Sequence, residues 1–141
     1  MTQQMPIVPA NREMVAKAAE FIRAGQLVAL PTETVYGLGA DASNPEAVAQ
    51  IFTAKGRPSF NPLIVHVPSL DLARRLADVT PLAERLAATF WPGPLTMILS
   101  RDKQHKIPDI TVAGLDTIAI RIPNHPIALE LLIKAERPIA A

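Results

Sequence analysis

The sequence contains no cysteine, which excludes a disulfide framework and a thiolate metal site. Aromatic residues make up only 4% of it, so we do not expect a stacking platform for single-stranded nucleic acid. No apolar run is long enough to cross a bilayer, and the N-terminus lacks the basic and apolar regions of a signal peptide. These absences predict a cytoplasmic protein without a membrane partner, although many exported proteins lack cysteine too.

Two common nucleotide-binding motifs are also missing. The sequence has neither a glycine-rich Walker loop nor a GxGxxG motif, so nucleotide binding by those two routes is not supported. Charge of one sign is not in excess, since 14 basic and 13 acidic residues leave a net charge of +1. This balance does not require an acidic partner, although it leaves room for a local basic patch.

The residues that are present indicate one domain of the α/β class over residues 1–141. Hydrophobic residues make up 49% of the 141, which is enough to bury a sizeable core. Strand-like segments alternate with helix starts, which predicts helices layered on a sheet, and we expect mixed parallel and antiparallel strands. The predicted strands are QLVAL, LIVHV (63–67), LTMILS (95–100) and TIAIRI (117–122). Helices are predicted to begin at Asn11, Asn44, Ser69, Thr80-Pro81 and Asn124-His125-Pro126.

Three local features complete the predicted architecture. The first helix is expected to turn Met14, Ala18, Phe21 and Ile22 inward, and the last is expected to continue through Leu132. Residues 101–114 are predicted to form a polar, mobile loop. The final residues, RPIAA, resemble a strand that has barely begun and has no partner, so we expect the chain to be a fragment of a longer protein.

The segment LPTETVYGLG (30–39) carries unusual chemistry for a connecting loop. Its two threonines can donate and accept hydrogen bonds, and its glycines allow a ligand to approach the backbone. One interpretation is therefore a ligand-binding loop. The other is a turn whose threonines satisfy nearby backbone amides.

A second polar segment is KGRPSFNPLIVH (55–66). Lys55 and Arg57 form a common phosphate-binding pair, although cations also stabilise the C-terminus of a helix. Asn61 and His66 bracket the following strand and add hydrogen-bonding groups. A lone histidine in an apolar strand is, however, more often a core residue than a catalyst.

Arg121 interrupts the apolar strand TIAIRI. A buried arginine is costly unless it is paired with an anion, and no acidic residue lies two positions away on its own face. A bound carboxylate or phosphate would meet this need, and so would an Asp or Glu from elsewhere in the chain. By contrast, FWPGPLT (90–96) predicts a stiff structural corner.

Taken in order, PTETVYGLG, KGRPSFNPLIVH, WPGPLT, AGLDTIAIRIPNHP and PIAA resemble the Sua5/YrdC/YciO family of threonylcarbamoyl-AMP synthases, from about residue 27 to 141. The resemblance implies the YrdC-like (DHBP synthase RibB-like) fold, a twisted mixed sheet with flanking helices. It also implies an enzyme that converts L-threonine, bicarbonate and ATP, with Mg²⁺, into threonylcarbamoyl-AMP and pyrophosphate for t6A37 modification of tRNA. Further implied partners are double-stranded RNA or tRNA and the downstream threonylcarbamoyl-transferase machinery.

The same resemblance implies roles for individual residues. Thr34, His66, Arg121 and Ala141 would contact L-threonine, Ala141 through its backbone. Arg57, Asn61 and Thr117 would lie at the ATP site, and Lys55 with Arg57 would face the phosphates and the carboxylate derived from bicarbonate. No protein metal ligand is implied.

One departure from the family pattern concerns the end of the chain. The pattern continues past PIAA into a Ser-x-Asn segment that completes the nucleotide site, so we expect the 141 residues alone to be weak or inactive. Two alternatives stay open: an RNA-binding module of the YciO type without this activity, and a relative that forms carbamoyl-AMP, as in hydrogenase-maturation carbamoyltransferases. The latter usually carry zinc-finger cysteines, which this sequence lacks.

Overall fold

Six strands and five helices form the described part of the chain, residues 7–56, 58, 61–102, 104 and 107–141 of a computed structural model. The strands are β1 (Val28–Pro31), β2 (Tyr36–Asp41), β3 (Ile64–His66), β4 (Met97–Ser100), β5 (Thr117–Arg121) and β6 (Ile139–Ala140). The helices are α1 (Arg12–Arg23), α2 (Pro45–Lys55), α3 (Leu70–Leu76), α4 (Pro81–Phe90) and α5 (Pro126–Ala135), with a 3₁₀ helix at Asp109–Val112. None of the described helices is both long and apolar enough to span a membrane.

The strands join one sheet in the order β1-β2-β6-β3-β5-β4. β3 and β5 run parallel, whereas the pairs β1/β2, β2/β6, β6/β3 and β4/β5 are antiparallel. The predicted mixed sheet is therefore confirmed.

The last strand lies in the middle of this sheet, so the expectation of an unpaired terminal segment was wrong. Ala140 pairs with Ala40 of β2 on one side and with Val65 of β3 on the other. Ile139 and Ala140 belong to separate hydrophobic clusters, as expected when successive side chains point to opposite faces of a sheet. Strand pairing depends on long-range contacts, which explains why a short apolar segment gave no sign of its central position.

Most helix starts occur where the capping residues predict them. The Asn44 side chain accepts hydrogen bonds from the backbone N–H groups of Glu46 (3.1 Å) and Ala47 (3.2 Å). The cap of helix α5 is His125, whose Nδ1 accepts from the N–H of Ile127 at 3.1 Å. The predicted helix start at Asn124-His125-Pro126 is confirmed, but the helix continues beyond Leu132 to Ala135.

Helix α1 begins after Asn11 as predicted, but it buries a different face. Its buried residues are Val15, Ala19 and Ile22, whereas Phe21 is 43% exposed. By spacing alone, the apolar residues of α1 could bury either of two neighbouring helix faces. Packing against α5 and β1 buries the face centred on Ala19.

Residues 107–112 are packed rather than forming a polar loop. Ile107, Thr111 and Val112 are buried, and the Thr111 hydroxyl donates to the Ala42 carbonyl at 2.9 Å. The loop prediction was therefore wrong for this part of the segment. Lys103, His105 and Lys106 lie outside the described residues.

Candidate functional site

Residues 32–35 form the loop of a β-hairpin in which Pro31 pairs with Tyr36. Only the middle of the segment LPTETVYGLG is thus a loop, since Leu30 and Pro31 end strand β1 and Tyr36–Asp41 is strand β2. The Thr32 hydroxyl donates to the Val35 carbonyl at 2.7 Å and accepts from the N–H groups of Thr34 and Val35 at 3.3 and 3.2 Å. These bonds support the turn interpretation for Thr32 and fix the shape of the loop.

Arg121, at the end of β5, is buried, with 6% of the residue exposed. Its Nε donates to the Gly93 carbonyl at 2.9 Å, its Nη2 forms an ion pair with Glu33 Oε1, and its Nη1 lies 3.5 Å from Thr34 Oγ1. Burial lowers the pKa of Arg121, but a guanidinium is not deprotonated in proteins. The site therefore holds a buried cation with an internal acidic partner.

Glu33 is the residue of this site that our sequence analysis did not assign. The acidic partner of Arg121 is not on its own strand, because Glu33 reaches it from the β1/β2 hairpin loop. Its second oxygen accepts a hydrogen bond from the backbone N–H of Asn124 at 2.6 Å, and only 22% of its side chain is exposed. The sequence feature that could have indicated its role is the position of this carboxylate between two threonines in a short loop.

The FWPGPLT segment forms the expected corner and also supports the site. Trp91 Nε1 donates to the Leu95 carbonyl at 2.7 Å, and the Gly93 N–H donates to the Ile122 carbonyl at 2.8 Å. The corner therefore presents the Gly93 carbonyl to Arg121. This second role was not predicted from the sequence.

His66, at the end of β3, is buried with 4% exposure. Its Nδ1 lies 3.2 Å from the Ile139 carbonyl, and because a carbonyl only accepts, this nitrogen carries the proton. Burial lowers the pKa of His66, although hydrogen bonds with the backbone of Ile139 and Ile64 oppose this effect. The imidazole is consequently neutral at neutral pH.

A cavity of about 200 Å³ lies beside these groups. Lys55, His66, Arg121 and Ala141 all line it, as does Thr32 from the hairpin loop. This volume is below the roughly 300–1,000 Å³ typical of drug-sized ligands, so the cavity suits a small metabolite. The Ala141 N–H donates to the Ile64 carbonyl at 3.0 Å, and the Ala141 carbonyl accepts from the Ile64 N–H at 3.1 Å. A carbonyl has two lone pairs, so the second one of Ala141 could accept from a ligand.

The other predicted site residues lie elsewhere or outside the described part. Thr34, Asn61 and Thr117 do not line this cavity, although the Thr34 hydroxyl lies 3.0 Å from that of Thr32, which does. Thr117 begins β5, roughly 13 Å along the strand from Arg121 at about 3.3 Å per residue. Arg57 is not among the described residues. Within those that are described, no group of three or more His, Cys, Asp or Glu side chains could hold a metal.

A second cavity, of about 470 Å³, lies between α4 and β4. Its lining is mainly leucine, isoleucine and alanine, and none of the buried polar or charged side chains of the described residues contributes to it. This cavity does have polar lining residues, Asp78, Thr80, Thr96 and Ser100, but the buried Arg121 and His66 line the smaller one.

Comparison with known proteins identifies the family of this chain. Residues 20–141 match the family model Sua5_yciO_yrdC, described as telomere recombination. The chain belongs to this Sua5/YciO/YrdC family. Its fold agrees with that assignment, because it superposes on E. coli YciO with a TM-score of 0.82 at 26% identity, covering 96% of this chain and 65% of the other.

Relatives of the Sua5 type are still more similar. The chain is 56% identical over 125 residues to threonylcarbamoyl-AMP synthase of Pyrococcus abyssi, covering 88% of this chain and 36% of that protein. It is 49% identical over 132 residues to the Bacillus subtilis protein of the same name, covering 93% and 38%. The structure of P. abyssi Sua5 complexed with L-threonine superposes with a TM-score of 0.88 at 50% identity, covering 96% and 39%. The chain thus spans less than two fifths of the length of these relatives.

Proposed function

We propose that this Sua5/YciO/YrdC chain supplies the amino-acid site of an enzyme that forms threonylcarbamoyl-AMP and pyrophosphate from L-threonine, bicarbonate and ATP. The observation that carries the proposal is a charged, buried Arg121 beside a cavity of about 200 Å³. Such a group suits the carboxylate of a small molecule. The similarity to a Sua5 protein that binds L-threonine supports threonine as that molecule.

The amino acid would be held by groups at the hairpin loop and the ends of β3 and β5. Arg121 Nη1 and the Thr34 hydroxyl, 3.5 Å apart, would take the carboxylate. Neutral His66 would contact the threonine without adding a second positive charge, and the Ala141 carbonyl would accept a hydrogen bond from it.

The reaction needs positioning and charge stabilisation rather than a protein nucleophile. The threonine amine takes up CO₂ to give a carbamate, whose oxygen attacks the α-phosphorus of ATP and expels pyrophosphate. Lys55, at the edge of the cavity, would stabilise the negative charge that develops on the phosphate oxygens. Arg57, Asn61 and Thr117 are proposed to bind ATP in the natural protein.

Mg²⁺ is proposed to arrive with the nucleotide. Protein-bound Mg²⁺ commonly uses one or two carboxylates together with substrate phosphates and water. The bound ion would neutralise phosphate charge.

The deciding experiment measures pyrophosphate release by the natural full-length protein. We expect release to require L-threonine, bicarbonate and ATP together, and to fall about 100-fold or more in Lys55→Ala. Release without threonine would instead favour a carbamoyl-AMP-forming relative. Binding of double-stranded RNA with no release under any condition would favour the YciO-type module.

The cellular role belongs to the same proposal. The product would supply the downstream threonylcarbamoyl-transferase machinery for t6A37 modification of tRNA in the cytoplasm. Loss of t6A from the tRNA of a deletion strain, restored by wild-type protein but not by Lys55→Ala, is the expected result. Normal t6A in the deletion strain would contradict this role.

A further inference from the structure

Glu33 connects three parts of the amino-acid site. One carboxylate oxygen is ion-paired with Arg121 Nη2, and the other accepts from the Asn124 N–H at 2.6 Å. The carboxylate therefore ties the β1/β2 hairpin loop to the end of β5 and to the residues that precede α5.

The contacts of Arg121 determine which of its N–H groups can face a ligand. Nε is bonded to the Gly93 carbonyl at 2.9 Å, and Nη2 is paired with Glu33. Among the described residues, Nη1 has only the long 3.5 Å contact with Thr34 Oγ1. The guanidinium is planar and rigid, so fixing Nε and Nη2 also fixes the direction of Nη1.

We propose that Glu33 is a positioning residue of the amino-acid site, which holds the Arg121 guanidinium so that Nη1 and the Thr34 hydroxyl together receive the carboxylate of the substrate. This inference rests on the proposed function. It deepens that function by assigning how the buried cation is oriented and how its charge is balanced before the substrate binds.

Glu33 remains in place in this mechanism and does not act as a competitor for Arg121. Both of its oxygens are engaged, and the loop that carries it is fixed by the hydrogen bonds of Thr32. The substrate carboxylate therefore joins the Glu33–Arg121 pair. A zwitterionic amino acid entering such a neutral pair adds no net charge to the buried site.

The test compares Glu33→Gln, Glu33→Ala and Glu33→Asp with wild type in the full-length protein. Gln has only one acceptor oxygen, so it turns an N–H group toward either Arg121 Nη2 or the Asn124 N–H and cannot accept from both. Asp keeps the negative charge, but its shorter side chain reaches these two partners less well. We expect L-threonine binding, measured by calorimetry, to weaken about 10- to 100-fold in Gln and Ala and less in Asp. The KM for ATP should stay near the wild-type value, which also reports that the variants are folded.

A ligand without the carboxylate separates positioning from general distortion. L-threoninamide lacks the negative charge of the carboxylate, so we expect it to bind wild type more weakly than L-threonine does. The affinity for L-threoninamide should then be nearly the same in Glu33→Gln as in wild type. Equal losses for threonine and threoninamide would overturn the proposal, as would unchanged threonine binding in both Gln and Asp variants. Tighter threonine binding in Glu33→Ala would also overturn it, because it would mark Glu33 as a competitor.

One control variant, together with threonine binding by the wild type, keeps the outcomes distinct. Glu20→Gln removes an exposed carboxylate on α1 and should leave threonine binding at the wild-type value. If wild type itself fails to bind threonine, the proposed function fails. If wild type binds and the Glu33 variants bind equally well, only the positioning role fails. Should Glu33→Ala not fold, the Gln and Asp variants decide the question.

Discussion

His66 and Arg121 are register partners at the ends of the parallel strands β3 and β5. Directly paired residues of neighbouring strands project to the same face of a sheet, so both side chains reach the cavity from one side. One is a neutral imidazole and the other a charged guanidinium, since burial lowers the pKa of His66. This pairing places the Arg121 cation and the uncharged His66 ring side by side in the lining of the cavity.

Replacing Arg121 by Gln should abolish recognition of the substrate carboxylate. We expect the KM for L-threonine to rise about 100-fold, since charge-assisted hydrogen bonds are lost and Glu33 is left without its cation. The free energy of unfolding should also fall, by about 1–3 kcal/mol. Steady-state kinetics and urea denaturation measure the two effects.

A matched control for this variant is Arg74→Gln. Arg74 pairs with Asp71 and Glu84 on the exposed surface, where ion pairs contribute little, so neither KM nor stability should change appreciably. An unchanged threonine KM in Arg121→Gln would contradict the assigned role of Arg121.

Protonation of His66 should link stability to pH. Its pKa is lowered in the folded state, so below its ordinary value of about 6.5 the unfolded chain binds a proton that the folded chain resists. The free energy of unfolding should therefore decrease as pH falls below that value, by at most about 1.4 kcal/mol per pH unit from this residue. The decrease should end once the folded-state pKa is passed.

His66→Gln provides the comparison for this pH effect. Gln has no titratable group, so the variant should lose stability less steeply than wild type in the acid range, as measured by urea denaturation at several pH values. Parallel stability profiles of His66→Gln and wild type would show that His66 does not contribute.

Local rules predicted much of this fold, whereas long-range contacts were harder to predict. Asn44, Ser69 and Thr80 cap helices where predicted, because capping depends on residues within one turn. The central place of β6 and the pairing of Glu33 with Arg121 join segments far apart in the chain. The isolated cation in β5 did predict that some anion must be near, but its chemistry alone could not distinguish a ligand from Glu33.

The two glycines of β2 should respond differently to alanine substitution. A Cβ on Gly39 would lie 2.7 Å from Leu30 Cδ2 and 2.8 Å from Ile139 Cγ2, so Gly39→Ala should lower the free energy of unfolding by about 1–3 kcal/mol. A Cβ on Gly37 would meet only the Ala141 Cβ, at 3.3 Å. Because Gly37 lines the cavity, Gly37→Ala should raise the KM for threonine with a smaller loss of stability than Gly39→Ala. Thermal melts and kinetics would refute this assignment if Gly37→Ala lost more stability and Gly39→Ala had the higher KM for threonine.

Gly93 should affect both the structural corner and the amino-acid site. A Cβ on Gly93 would collide with the Phe90 carbonyl oxygen, so Gly93→Ala must shift the backbone that presents its own carbonyl to Arg121 Nε. We expect a loss of about 1–3 kcal/mol in the free energy of unfolding, together with a several-fold higher KM for threonine and an unchanged KM for ATP. Gly114→Ala is the matched control, since its Cβ would meet nothing within 4 Å and its φ of +69° costs only about 1 kcal/mol of backbone strain. If the two variants lose stability alike and neither changes the threonine KM, the corner does not orient Arg121.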